Sequence, residues 1–91
     1  LTVDPDNANA MNSLGYILAE ESRDLEYALS LCRKAVAINE GNAAYLDSLG
    51  WVLHKLGYND EARGHLRKAM SLSGGETEIA EHMRKVMHSR T

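Results

Sequence analysis

Residues 47–53 read DSLGWVL and repeat, thirty-five positions later, the NSLGYIL of residues 12–18. Four of the seven positions are identical, and the other three keep their chemical type. Further along, the A-x3-L-x2-A of residues 62–69 repeats the A-x3-C-x2-A of residues 28–35 at an offset of 34. The offset changes within residues 22–27, as it does when one turn is a residue longer. This self-similarity predicts two copies of one structural unit.

Each copy is predicted to form two helices, because its apolar residues recur at spacings of three and four. Met11, Leu14 and Leu18 show this spacing in the first copy. A fifth stretch with the same spacing follows the second copy. The connections between stretches are short, so neighbouring helices are expected to run antiparallel. The predicted helices cover residues 8–21, 25–39, 43–56, 60–72 and 77–89.

Polar residues and glycines between these stretches are predicted to begin and end the helices. N-cap side chains accept a hydrogen bond from a backbone amide of the first turn, and the predicted N-caps are Asn7, Asp24, Asn42 and Asn59. Glycine commonly ends a helix in the left-handed conformation, and the predicted helix ends are Gly41, Gly57, Gly74 and Gly75. These signals agree with the periodicity and indicate an all-helical chain.

Two glycines lie inside strongly periodic helices, where glycine costs about 1 kcal/mol relative to alanine. The helix that follows Gly15 carries the small residue Ala28 near its start, and Ala62 follows Gly50 in the same way. Small residues at facing positions let two helix backbones approach closely. We therefore predict that both glycines mark the contact between the two helices of a copy. Gly64, in the middle of another helix, has no such partner.

The pattern resembles the tetratricopeptide repeat, whose signature is W-x2-L-G-x2-Y…A-x3-F…P. Residues 11–32 carry it as M-x2-L-G-x2-L…A-x3-C, and residues 46–66 carry it as L-x2-L-G-x2-L…A-x3-L. The two closing proline positions hold Glu40 and Gly74 instead. The DSLGWVLHKLG of residues 47–57 also resembles repeats from bacterial members of the family.

The resemblance implies an all-α fold, a right-handed α-solenoid of antiparallel helix pairs, here with five helices. The predicted units are residues 8–42 and residues 43–76. Residues 1–7 are predicted to be the tail of a preceding repeat with a linker. Residues 77–91 are predicted to be a C-terminal capping helix or the first helix of a truncated third unit. This organisation is typical of a piece of a longer stack.

Length, charge and cysteine content exclude several classes of protein. Ninety-one residues form one small domain, and thirteen acidic against ten basic residues disfavour a nucleic-acid partner. Cys32 is the single cysteine, so the chain has no internal disulfide. The apolar runs are too short for a membrane span, and we expect a soluble protein of the cytoplasm or the periplasm.

In this family the first helix of each pair lines a concave groove that binds peptides, and the resemblance implies the same here. The residues predicted by position to face this groove are Asn9, Asn12, Tyr16, Asp47, Trp51, His54, Glu81 and Lys85, with Ala44, Glu78 and His88 as further candidates. Tyr16 and Trp51 are equivalent positions, so they are predicted to form a short aromatic ladder that anchors a partner. In the alternative, Trp51 only packs between neighbouring first helices.

The charge of the groove predicts the chemistry of its partner. Some members of the family bind the C-terminal carboxylate of chaperone tails through lysine, arginine and asparagine. No cation stands at the matching positions of the two copies, and Asp47 would repel a carboxylate. We therefore predict a partner segment that is basic or hydroxyl-rich and partly aromatic or aliphatic.

Motifs for catalysis, cofactors and metals are absent from the sequence. It has no H-E-x-x-H, no glycine-rich phosphate loop after a strand and no supported Ser/His/Asp set. Glu78 and His82 are four residues apart and are interpreted as a surface pair rather than a metal site. The sequence therefore predicts a noncatalytic module for protein or peptide partners, with no cofactor, metal or small-molecule substrate.

Two alternatives stay open at this point. The chain could be a regulatory or substrate-docking arm of a larger enzyme, such as a glycosyltransferase or a protease. It could also pair with a second copy through Leu1–Pro5 and the methionine-bearing last helix, forming a homo-oligomer.

Overall fold

The computed structural model describes Asp4 and residues 6–88. Within that part of the chain all regular structure is helical, and no strand is present. The predicted helices are confirmed, and the bounds of the first four agree within one residue. The predicted end of the fifth helix, Ser89, lies outside the described residues, and so do residues 1–3 and Pro5 of the predicted preceding tail. The five helices are α1 (Ala8–Glu20), α2 (Leu25–Ile38), α3 (Ala43–Leu56), α4 (Asn59–Ser73) and α5 (Thr77–Met87).

The helices pack as a stack of hairpins. Each helix packs on the next one along the chain, and α3 also packs on both α1 and α5. The helices α2 and α4 lie farther apart and are linked by an exposed ion pair, with Arg33 Nη2 2.9 Å from Glu61 Oε2. The first helices α1, α3 and α5 thus form one continuous layer. We call the side of this layer that faces away from α2 and α4 the inner face. This is the layered arrangement of an α-solenoid, and the predicted fold class is confirmed.

The core runs along α3, which has neighbours on several sides. Every residue from Tyr45 to Leu53 in this helix is buried. The largest fully buried side chains include Leu49, Leu53 and, from α4, Leu66. Continuous burial of a helix on all sides is expected where it stands between two others in a stack.

The contact glycines are confirmed by their surroundings. A Cβ atom on Gly15 would stand 2.6 Å from Cys32 Sγ and 3.2 Å from the carbonyl oxygen of Ala28. A Cβ atom on Gly50 would stand 2.7 Å from Leu66 Cγ. The distances to Cys32 Sγ and to Leu66 Cγ are shorter than those that real Cβ atoms make with their neighbours. Only glycine therefore permits the observed approach of α1 to α2 and of α3 to α4.

Three of the four predicted N-caps lie at the N-cap position of their helix, and two of these make the capping hydrogen bond. Asn7 Oδ1 accepts from the amide of Ala10 at 2.9 Å, and Asn42 Oδ1 accepts from the amide of Tyr45 at 3.1 Å. Asp24 precedes α2 in the left-handed conformation, with φ 47°, and its side chain makes no capping bond. Asn59 is the first residue of α4 rather than its cap, because its side chain bonds to a histidine of α3 instead.

Glycine ends two of the helices as predicted and fails to end a third. Gly57 and Gly74 follow α3 and α4 with φ of 92° and 72°, in the left-handed region that glycine adopts without strain. Gly75 also has a positive φ. The prediction for Gly41 was wrong, because Asn39 already ends α2 by turning to extended backbone.

Candidate functional site

A cleft of about 290 Å³ opens on the inner face, between the three first helices. Side chains from α1 and α3 form its walls, and α5 closes one side. The lining combines carboxylate, amide and hydroxyl groups with aliphatic side chains. The residues that line the cleft are Asn12, Ser13, Tyr16, Ile17, Ala44, Asp47, Ser48 and Glu78.

Beside the cleft, one histidine joins all three first helices through hydrogen bonds. His82 Nδ1 lies 2.8 Å from Asp47 Oδ1 and 3.0 Å from Asp47 Oδ2. On the other edge of the ring, His82 Nε2 lies 3.3 Å from the hydroxyl oxygen of Tyr16. Nδ1–H donates to the carboxylate, while Nε2 accepts from the tyrosine hydroxyl in the neutral ring and donates to its oxygen in the imidazolium. The three side chains therefore tie α5 to α3 and to α1.

Aromatic contacts reinforce the same junction. The His82 ring stacks on Trp51 with ring centroids 4.4 Å apart and an interplanar angle of 25°. Its centroid is also 5.8 Å from that of Tyr16. Trp51 Nε1 donates to Glu20 Oε1 at 2.6 Å, which bonds α3 directly to α1. We call the side chains of Tyr16, Glu20, Asp47, Trp51 and His82 the polar node.

The two members of the predicted aromatic ladder, Tyr16 and Trp51, both contact the ring of His82. Trp51 is 5% exposed and is packed between neighbouring first helices, which is the arrangement that the packing alternative describes. Lys55 Nζ and Lys85 Nζ lie 5.3 and 5.5 Å from the centre of its ring. A direct contact of Trp51 with a ligand stays a prediction.

Burial and negative charge govern the titration of the polar node. Burial raises the pKa of Tyr16 to about 12, and the charges of Glu20, Glu78 and Asp47 act in the same direction. For His82, burial lowers the pKa, but the hydrogen bond to Asp47 and the surrounding carboxylates outweigh that effect. The pKa of His82 therefore lies above its ordinary value of 6.5. The polar node thus favours the imidazolium form.

The eight predicted groove residues separate into two groups. Those that line the cleft are Asn12, Tyr16 and Asp47; those that do not are Asn9, Trp51, His54, Glu81 and Lys85. Asn9 is exposed and accepts from the hydroxyl of Tyr45. His54 is half-buried, with Nδ1 2.8 Å from Asn59 Oδ1. Glu81 and Lys85 are exposed on α5.

The sequence pattern missed part of the site. Ser13, Ile17 and Ser48 line the cleft without having been predicted. The interpretation of His82 as a surface residue was wrong, because its ring is buried, with 5% exposed, against α3. A usable signal existed: Asp47 and His82 are separated by thirty-five residues, the offset of the repeat, which places them on neighbouring first helices.

One polar atom of the cleft has no hydrogen-bond partner. Asn12 Oδ1 is buried, and nothing in the described part of the chain donates to it. Buried acceptors are nearly always paired in folded proteins, so this oxygen is an exception among the cleft residues.

Residue 4 and residues 6–88 contain no group of three or more histidine, cysteine, aspartate or glutamate side chains that could hold a metal ion. None of the five helices has both the length and the apolar character needed to cross a membrane.

Comparison with known proteins agrees with the repeat geometry. No family model matches the chain. The TPR repeat-containing protein PA4667 of Pseudomonas aeruginosa is 38% identical to the chain over 80 residues, which make up 88% of the chain and 13% of that relative. The chain thus spans a small part of the length of the curated relative it matches. The duplicated motif, the glycine-mediated helix pairs and this similarity together show that the chain belongs to the tetratricopeptide-repeat family.

Proposed function

We propose that the chain is a noncatalytic protein-interaction module that binds a peptide segment of a partner in the cleft. The observation that carries this proposal is the cleft itself, which is open to solvent and is built by residues of three consecutive first helices. A site assembled across repeats can hold an extended segment that runs along the stack.

The residues around the cleft support contact beyond it. Asn12, Tyr16 and Asp47 line the cleft and would contact the centre of a bound segment. Asn9, on the exposed side of α1, would contact one flank. Glu81 and Lys85 lie on the exposed side of α5 and would contact the other flank. Trp51 and His54 would then act indirectly, by holding the other side chains of the polar node in place.

The state of the single cysteine also supports a noncatalytic role. Cys32 is fully buried against Gly15 between α1 and α2. Burial raises the pKa of its thiol to about 12, so the thiolate needed for nucleophilic chemistry does not form near neutral pH.

Selection from a library of short random peptides tests this function. Peptides retained by the wild-type chain are measured by fluorescence anisotropy against two variants that each add a tryptophan to an exposed position. Ala44→Trp fills the cleft, whereas Ala37→Trp adds the same bulk on α2, outside it.

We expect Ala44→Trp to weaken binding at least about tenfold, the loss that follows from about 1.4 kcal/mol, and Ala37→Trp to leave it unchanged. Circular dichroism of both variants controls for folding. Equal binding by the two variants, or the absence of any retained peptide, would overturn the proposal.

A further inference from the structure

Resting on the proposed function, we infer that the cleft takes a cationic side chain, a lysine or an arginine of the bound segment. The inference concerns the chemistry of the ligand, which neither the family nor the relative specifies.

Acceptor groups surround the space that the side chain would enter. Asp47 and Glu78 contribute carboxylates, and Ser13 and Ser48 contribute hydroxyls. The described lining contains no lysine or arginine. Side chains of this kind create a negative potential in a confined space, which attracts a cation and repels a carboxylate.

The orphaned atom of Asn12 supplies an independent argument for a donor. Asn12 Oδ1 is buried without a partner, although the side chain lines the cleft. An entering N–H group would supply the donor that this oxygen lacks. A lysine or an arginine carries several such donors and no acceptor, so it can satisfy the amide oxygen and a carboxylate together.

The aliphatic part of the cleft suits the stem of such a side chain. Ile17 is 52% exposed although it is large and apolar, and it borders the cleft together with Ala44. Long cationic side chains bury their methylene groups on apolar surface while the charged end meets polar groups. The volume of about 290 Å³ lies at the lower edge of the roughly 300–1,000 Å³ of small-molecule pockets, which suits one long side chain.

The nearby positive charges already interact with side chains of the polar node. Lys55 and Lys85 lie over the ring of Trp51. His82 is bonded to Asp47, and the carboxylate of Glu20 adds to the negative surroundings of the same ring. A cationic ligand would therefore pair with Glu78, since the carboxylate of Asp47 is already bonded to His82.

Four random peptide libraries, fixed at the central position as arginine, lysine, norleucine or glutamate, test the inference on the 91-residue chain. We expect the arginine and lysine libraries to be retained about tenfold better than the other two. Glu78→Gln should weaken retention of these two libraries about threefold, as for a partly exposed ion pair. Glu26→Gln is the matched control, because it removes an exposed carboxylate from α2, outside the cleft.

Each remaining outcome contradicts a defined part of the account. If the norleucine library is retained equally well, and Ala44→Trp abolishes retention, the cleft binds peptides but the cation inference fails. If Glu26→Gln weakens retention as much as Glu78→Gln, retention follows the overall negative charge rather than the cleft, and the inference fails as well. If no library is retained, the proposed function fails together with it.

Discussion

The two sides of α3 are held by different chemistry. Toward α4, Gly50 brings the backbones so close that an added Cβ would stand 2.7 Å from Leu66 Cγ. Toward α1 and α5, polar and aromatic groups make the contact, with Asp47 bonded to His82 and Trp51 bonded to Glu20. One side is an apolar packing contact and the other is a hydrogen-bonded node.

The difference separates what repeats from what does not. The glycine contact occurs again between α1 and α2, where Gly15 faces Cys32 in the same way. The polar node has no second copy, because the positions equivalent to Asp47 and Trp51 hold Asn12 and Tyr16. Packing within a helix pair is therefore common to both units, whereas the inner face is particular to its position in the stack.

The largest expected effect comes from breaking the polar node. His82→Leu leaves the buried carboxylate of Asp47 without its partner, and we expect the free energy of unfolding to fall by about 3 kcal/mol. Urea denaturation at neutral pH measures the change. His88→Gln, at the exposed end of α5, is the control and should change stability by less than about 0.5 kcal/mol. Equal losses for the two variants would refute the node as a stabilising contact.

The glycine contact gives the next largest effect. Gly50→Ala forces Leu66 and the carbonyl of Ala62 to move, and we expect a loss of about 2 kcal/mol. Gly64→Ala has open space around the new methyl group and should gain about 0.5–1 kcal/mol from helix propensity. Thermal unfolding compares the two variants. A Gly50→Ala protein as stable as Gly64→Ala would show that close approach is not what glycine provides.

The titration of His82 gives a smaller effect with a definite sign. Because its folded pKa lies above the ordinary value of 6.5, the imidazolium contributes stability that is fully present below about pH 6.5. That contribution is lost as the pH rises through the folded pKa. From about pH 5 to about pH 9, the urea midpoint of the wild type should therefore fall more than that of His82→Gln. If the wild type instead gained stability relative to His82→Gln over this range, the linkage between protonation and folding would have the opposite sign, and the prediction would be wrong.

The smallest expected effect concerns the orphaned amide of the cleft. Asn12→Leu removes a buried acceptor that lacks a donor, so stability should stay constant or rise by up to about 1 kcal/mol. Retention of arginine and lysine peptides should fall in the same variant, since the N–H donors of the peptide lose an acceptor. A variant that loses stability by more than about 1 kcal/mol would indicate that Asn12 is part of the packing instead.

The sequence predicted the fold to the extent that the fold repeats. Two copies of one apolar pattern were enough to locate α1 to α4, and the paired small residues were enough to identify the contacts of Gly15 and Gly50. Ends of helices were less predictable. Gly41 and Asn39 both fit a helix end, and the choice between them depends on how the chain turns toward α3.

The site was less predictable because it depends on which side chains meet across repeats. The spacing of Glu78 and His82 along one helix suggested a surface pair. The burial of His82 follows from α3, whose Asp47 and Trp51 cover the ring in three dimensions. Periodicity within a helix carries no direct information about that neighbour. The unit boundaries at residues 42 and 76 stay predictions.

Backbone amide chemical shifts, followed while a retained arginine or lysine peptide is added, test the central claim most directly. The account holds that recognition belongs to the inner face and packing belongs to the helix pairs. It predicts the largest shift changes at the cleft residues Asn12, Ser13, Ala44 and Glu78, with small changes along the exposed sides of α2 and α4. Changes concentrated on α2 and α4, with the cleft residues unaffected, would contradict it.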